Sequence, residues 1–135
     1  MRSPTLGEID NLPEVFGQKF ALDLFTRGNF SRQFELQVKE KANQGLIHGP
    51  IYLSIGTEFN SSALSLALEN PLIFGQHRGH SLYLSFGGDP GPLRDELLGL
   101  STGCSNGIGG SCSIQCKEIN MFGHSGLLGE QVPLA

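Results

Sequence analysis

The chain has 135 residues, the length of one ordinary domain and too few for two. Apolar residues make up 39% and charged residues 16%, which excludes a disordered tail. The net charge of -4 argues against a nucleic-acid-binding protein. No apolar run approaches the roughly 20 residues of a membrane span. Neither a secretory signal nor a transit helix follows Met1, so we expect a cytoplasmic protein.

The first half of the chain has helical periodicity. Residues 1–17 contain Pro4 and Pro13 and show no sustained period, so we expect an irregular arm. Residues 18–44 place apolar side chains at helical spacing, although Gly28-Asn29 is expected to loosen or split this helix. Gly45 has the position of a left-handed residue that ends a helix.

Shorter elements are predicted in the middle of the chain. A turn at Gly49-Pro50 precedes an extended piece, and a second helix is expected over residues 57–68. The apolar run 72–74 predicts a short, buried parallel strand, and residues 81–86 predict a helix.

Proline and glycine residues mark the bounds of the elements that follow. Residues 87–91 predict a turn, and Pro92 is expected to open a helix that reaches Leu98, with Gly99 beyond its end. These elements together indicate an α/β fold, mostly helical, with one or two short parallel strands.

Glycine is abundant, with 19 residues, and most of them lie in the second half of the chain. Because apolar side chains are interleaved with them, we expect structured loops at residues 105–111 and 123–129 rather than a flexible linker. Cys104, Cys112 and Cys116 lack the spacing of a zinc site, so we expect reduced thiols in packed loops.

Two segments are candidates for anion binding. His77, Arg78, Gly79 and His80 follow the predicted strand, where an arginine can bind a phosphate or a carboxylate. The alternatives are a structural network and an i, i+3 histidine pair for a metal, for which no further ligand has suitable spacing. The backbone amides of residues 107–111 could form an anion-binding nest, the alternative being a glycine-rich loop without a ligand.

Seven short motifs follow one another along the chain at nearly constant spacing. They are RxFE at residues 32–35, GLIHG at 45–49, SIGTE at 54–58, HRGH at 77–80, ELLG at 96–99, GCSNGIGGS at 103–111 and GLLGEQVP at 126–133. In this order they resemble the alpha subunit of the thiamine-diphosphate-dependent 2-oxo acid dehydrogenases, the family of the pyruvate, branched-chain and acetoin enzymes. The resemblance extends over residues 18–135.

The resemblance implies the N-terminal portion of a thiamine-diphosphate-binding fold in an oxidoreductase. Its substrate would be a 2-oxo acid or acetoin, and its partners would be a beta subunit and a lipoyl-bearing acyltransferase. The cofactor thiamine diphosphate would be contacted by His77, Arg78, Gly126 and Leu128. His80 is the one residue considered for a catalytic role.

The chain departs from the family pattern in three places. Tyr52 replaces a histidine that faces the substrate, and Ser113 replaces a second histidine. Residues 1–135 contain no Gly-Asp-Gly motif, which in the family supplies magnesium ligands together with a following Asn. We therefore expect residues 18–135 to form a partial domain with no metal ligands, inactive by itself. The glutamate that activates the cofactor is expected on the beta subunit.

Two other classes of protein remain open. The chain could be a non-catalytic module, or a gene remnant, that pairs with a beta-type subunit. A small metal-binding protein built on Cys104, Cys112, Cys116 and His124 is the weakest alternative.

Overall fold

The computed structural model describes residues 12–125. Five helices, two strands and two 3₁₀ turns follow one another in this part of the chain. They are α1 (Leu12–Phe16), α2 (Gln18–Asn43), α3 (Glu58–Ala67), β1 (Ile73–Gln76), α4 (His80–Ser85), α5 (Pro90–Leu97), the turns Gly110–Cys112 and Lys117–Ile119, and β2 (Met121–Ser125). The expected α/β chain, mostly helical with two short parallel strands, is confirmed.

The long helix α2 is continuous, so the expected break at Gly28-Asn29 is wrong. Gly28 is buried, and a Cβ atom added there would lie 2.5 Å from the ring of Phe59 on α3. Glycine therefore serves close helix packing at this position rather than a bend. The end of α2 is as predicted, because Gly45 follows it with a φ of 71°.

Serines lie where α2, α3 and α4 pack together. Ser31, Ser62, Ser81 and Ser85 are buried. The hydroxyls of Ser62 and Ser85 lie 3.2 Å apart, and those of Ser61 and Ser81 lie 3.0 Å apart. Small side chains let the helices approach closely, and the hydroxyls of these two pairs satisfy each other, while Ser31 Oγ has no partner among the described residues.

The two strands are parallel, with Ile73 beside Met121 and Gln76 beside Ser125. Ile73 and Met121 face a core that includes Tyr83, Leu93 and Ile114. The strand predicted at residues 72–74 is shifted, and of that run only Ile73 is buried. The reason is that a strand alternates its side chains between two faces, and Phe74 is on the exposed one.

Helix α5 begins at Pro90, two residues before the predicted start. The carboxylate of Asp89 accepts a hydrogen bond of 2.8 Å from the amide of Gly91 and caps the helix, which places Pro90 at its first position. The predicted turn at residues 87–91 therefore ends at Asp89, because Pro90 and Gly91 belong to the helix. Gly99 follows the helix with a φ of 72°, as expected.

Two expectations for the chain ends are revised in part. The predicted irregular arm contains the short helix α1, while residues 1–11 lie outside the described part. The glycine-rich loop predicted at residues 123–129 begins inside β2, and residues 126–135 lie outside the described part. No helix within residues 12–125 is long and apolar enough to cross a membrane.

Candidate functional site at the carboxyl end of the strands

His77 and Arg78 directly follow β1, as the sequence predicted. Because β1 and β2 are parallel and Gln76 pairs with Ser125, both strands end at the same edge of the sheet. Open α/β sheets bind their ligands at this edge. Of the predicted cofactor contacts, Gly126 and Leu128 lie outside the described residues.

Arg78 differs from the other arginines in residues 12–125. Arg27 donates hydrogen bonds to Ser65 and Ser85, Arg32 binds Glu58, and Arg94 binds Asp95. The guanidinium of Arg78 is exposed and has no hydrogen-bond or ion-pair partner within that part of the chain. An unpaired guanidinium beside a strand end is available to an anionic ligand.

Tyr52 and His77 lie next to each other at this edge. Their ring centroids are 5.2 Å apart and their planes are inclined by 84°, an edge-to-face contact. The Nδ1 atom of His77 is buried and has no hydrogen-bond partner among the described residues. A buried polar atom without a partner costs free energy, so this nitrogen is a candidate ligand contact.

The segment that carries Tyr52 is held by side chains rather than by a strand. The amide of Ser54 donates to Glu35 Oε1 over 3.0 Å, and the amide of Tyr52 donates to Ser111 Oγ over 3.3 Å. The hydroxyl of Ser54 in turn donates to the carbonyl oxygen of Arg78 over 2.9 Å. The structure thus brings the predicted residues Tyr52, His77 and Arg78 together.

His80 stands at the centre of these contacts with its side chain fully buried. Its Nδ1 lies 3.1 and 3.2 Å from the two carboxylate oxygens of Glu35, and its Nε2 lies 2.8 Å from Ser111 Oγ. A carboxylate, an imidazole and a hydroxyl in line resemble the arrangement of a nucleophilic triad. Ser111 is only 2% exposed, however, and its hydroxyl also accepts the Tyr52 amide, so the arrangement does not present a nucleophile.

The glycine-rich loop forms the anion nest that was one of the two alternatives for it, and its anion is the carboxylate of Glu96. Four loop amides donate to the two oxygens of this buried group over 2.7–2.9 Å: those of Ser105, Gly107, Gly109 and Gly110. The sequence contained a signal for this pairing. Glu96 is the last charged residue before a stretch without charge that reaches Cys116, so the nearest carboxylates in the chain are Glu96 before the loop and Glu118 after it.

A third buried carboxylate belongs to Glu58. Arg32 donates a hydrogen bond to each of its oxygens, one from Nε and the other from Nη2 over 3.0 Å. The amide of Gly56 donates a third over 2.8 Å. Burial raises the pKa of Glu58, but the bonds from Arg32 and from backbone amides outweigh burial and hold this pKa below its usual value. The charged motif residues Arg32, Glu35, Glu58 and Glu96 therefore hold the fold together.

The three cysteines are free and half-buried. Burial, and next the charge of Glu96, raises the pKa of Cys104 to about 11, and burial also raises the pKa of Cys116. No three His, Cys, Asp or Glu side chains in the described part of the chain are grouped for a metal ion. For His124 the structure describes the backbone, in β2, and not the side chain.

Comparison with known proteins found no family model that matches the chain. It found curated relatives named pyruvate dehydrogenase E1 component subunit alpha. The Zymomonas mobilis protein is 35% identical over 132 residues, which cover 92% of this chain and 37% of the relative. The Arabidopsis thaliana subunit alpha-1, mitochondrial, is 32% identical over 84% of this chain and 29% of its own length.

A second Arabidopsis thaliana relative, subunit alpha-3, chloroplastic, is 31% identical over 93% of this chain and 30% of its own length. The chain thus spans about a third of the length of the curated relatives it matches. The resemblance that the seven motifs indicated is confirmed: the chain is related to the alpha subunits of pyruvate dehydrogenase E1 components and resembles a part of such a subunit.

Proposed function

We propose that this chain serves as part of the alpha subunit of a thiamine-diphosphate-dependent 2-oxo acid or acetoin dehydrogenase. This enzyme would carry out oxidative decarboxylation with acyl transfer to a lipoyl group, in a complex with a beta subunit and a lipoyl-bearing acyltransferase. The observation that carries the proposal is that two consecutive residues after β1 lack partners within residues 12–125: the guanidinium of Arg78 has none there, and neither has the buried Nδ1 of His77. The names of the relatives support the reaction class.

The residues at the strand ends fit the cofactor. A diphosphate is an anion, and the planar guanidinium of Arg78 matches its oxygens. His77 offers a ring nitrogen that no described residue satisfies. Thiamine diphosphate, when bound, supplies an ylid and an electron sink, and the task of this chain is to hold it. Gly126 and Leu128, which come after β2 in the sequence, are proposed to contact its aminopyrimidine ring.

Residues 1–135 by themselves are proposed to bind the cofactor weakly and to be inactive. The Gly-Asp-Gly motif and the Asn that the resemblance assigns to magnesium are not in this sequence, and a bound cation is the largest local charge in such a site. Calorimetric titration with thiamine diphosphate and magnesium tests this proposal. We expect no saturation at micromolar cofactor, and saturable micromolar binding contradicts it.

The proposed role is tested by transplanting the segment. Residues 18–135 replace the matching part of the Zymomonas mobilis alpha subunit, which is then assembled with its beta subunit and assayed for decarboxylation of pyruvate, branched-chain 2-oxo acids and acetoin. We expect activity that falls about 100-fold in Arg78→Ala, because a charge-assisted contact to the diphosphate is lost. Arg94→Lys is the matched control, since Arg94 is exposed and pairs with Asp95. Equal activity of Arg78→Ala and the control contradicts the role of Arg78.

One observation favours the non-catalytic module as a second candidate. Phe74 on β1 and Phe122 on β2 are each 45% exposed, and both faces of parallel sheets are normally covered. A beta-type subunit could cover these side chains without catalysis. A transplanted protein that forms a stable complex with the beta subunit, yet shows no decarboxylation, supports this alternative.

The cytoplasmic location stays a prediction. The relatives include mitochondrial and chloroplastic forms as well as the Zymomonas mobilis protein, so similarity to them favours no single compartment.

A further inference from the structure

His80 connects three segments that are far apart in the sequence. Glu35 on α2 binds its Nδ1, and Ser111 in the glycine-rich loop binds its Nε2. The same two residues hold the amides of Ser54 and Tyr52. The side chains that accept from the amides of Tyr52 and Ser54 therefore meet at one imidazole.

The chemistry of the groups limits the hydrogen-bond roles in this network. A carboxylate only accepts, so Nδ1 of His80 must donate to Glu35. A backbone amide only donates, so Ser111 Oγ accepts from Tyr52 and has one proton left to give. In the neutral ring with its proton on Nδ1, Ser111 Oγ donates this remaining proton to Nε2 of His80 over 2.8 Å. Each donor then has an acceptor.

We propose that His80, Glu35 and Ser111 form a positioning unit that fixes Tyr52 against the ring of His77. This inference rests on the proposed function, because Tyr52 and His77 matter as the residues that face substrate and cofactor. His80 is a positioning residue and not a catalytic one: its side chain is fully buried, and both of its nitrogens are engaged by protein groups. Ser111 is the link by which the loop anchored on Glu96 acts on Tyr52.

The unmodified 135-residue chain provides the first test. Nitrogen chemical shifts from nuclear magnetic resonance distinguish the two neutral forms of a histidine ring. We expect His80 to carry its proton on Nδ1 and to exchange that proton slowly with solvent, because the ring is buried. A proton on Nε2 alone, or rapid exchange at Nδ1, overturns the proposal.

Variants of Ser111 provide the second test. Ser111→Ala removes the link, so we expect the His77 ring signals, which feel the ring current of Tyr52, to shift, and the unfolded-to-folded ratio to rise roughly tenfold. Ser111→Thr keeps the hydroxyl and should restore the His77 signals toward those of the parent chain. Ser101→Ala, at an exposed position of the same loop region, is the matched control and should change neither.

The readouts separate this inference from the proposed function. If Ser111→Ala leaves the His77 signals as they are in the control, the positioning unit is refuted whatever the transplanted enzyme does. If the signals move and Ser111→Thr restores them, the unit is supported, even where the Arg78→Ala assay refutes cofactor binding.

Discussion

Two regions of the molecule bury a carboxylate and stabilise it in different ways. In the helical region, Glu58 is neutralised by the guanidinium of Arg32 with one backbone amide beside it. In the glycine-rich region, Glu96 has no cation near it among the described contacts and is held by four backbone amides. A buried charge needs either a counter-ion or aligned dipoles, and each region uses one of them.

The comparison explains where the fold needs glycine. Amides can converge on a carboxylate only if the backbone folds tightly around it, and the loop does so with Gly107 at a φ of 75° and Gly110 at 54°. An Arg–Glu pair makes no such demand on the backbone, because long side chains reach each other. The loop should therefore be the more sensitive region.

The largest expected effect is that of Glu96→Gln. An amide side chain has one acceptor oxygen, and its NH₂ group would face donors, so some loop amides lose their partner. We expect a loss of about 4 kcal/mol in the free energy of unfolding, measured with urea. Hydrogen exchange at Gly109 and Gly110 should accelerate in parallel. Glu69→Gln at an exposed position is the control, and equal losses in both variants would refute the role of Glu96.

Next in size is Gly107→Ala. The new Cβ would lie 2.5 Å from the carbonyl oxygen of Leu100, in addition to the strain of a positive φ, so we expect a loss of about 3 kcal/mol. Gly56→Ala, at a φ of 97° with open space around it, should lose only ~1 kcal/mol. Chemical denaturation of both variants checks the difference. Similar losses would show that strain alone matters.

Glu58→Gln should have a smaller effect, about 2 kcal/mol at neutral pH, through the lost bonds to Arg32. Because the pKa of Glu58 is lower in the folded protein than in the unfolded chain, its contribution is complete above the unfolded value of 4.5 and disappears as pH falls through the folded value. The variant should therefore lose less stability than the parent on acidification below about pH 4.5. Parallel pH profiles of the two proteins would contradict this assignment.

The smallest effect concerns reactivity rather than stability. With a pKa of about 11, roughly one in a thousand Cys104 thiols is ionised at pH 8, against about a quarter of thiols with an ordinary pKa near 8.5. Alkylation followed by mass spectrometry should find Cys104 protected in the folded chain. Glu96→Gln should speed its labelling, since the charge of Glu96 helps to raise this pKa.

The ends of helices were predictable where neighbouring residues alone determine them. Gly45 and Gly99 mark helix ends because a left-handed residue ends a helix whatever surrounds it. The expected break at Gly28 failed because the residue that decides it, Phe59, lies on another helix. The early start of α5 has a local cause, the cap that Asp89 forms on the amide of Gly91.

The motifs, taken as a set, predicted the family resemblance. The expectation that His77 and Arg78 follow a strand is met, because β1 ends at Gln76. Their pairing was not predictable from spacing. Each charged motif residue that was found buried binds a residue of a different motif, as Glu35 binds His80 and Arg32 binds Glu58. Spacing does not separate these structural contacts from ligand contacts. Arg78 differs from the other arginines of residues 12–125 only through the partners that those have in the folded chain.

By itself, the sequence determined the mostly helical α/β class, the main helices and the family resemblance, because periodicity, end signals and ordered motifs are properties of neighbouring residues. The tertiary structure decided what each buried charge does. Glu35 and His80 are separated by 45 residues, and His80 and Ser111 by 31. Hydrogen bonds over such separations depend on how the helices and loops pack, so the buried unit around His80 and the carboxylate inside the glycine-rich loop exist only in the folded chain.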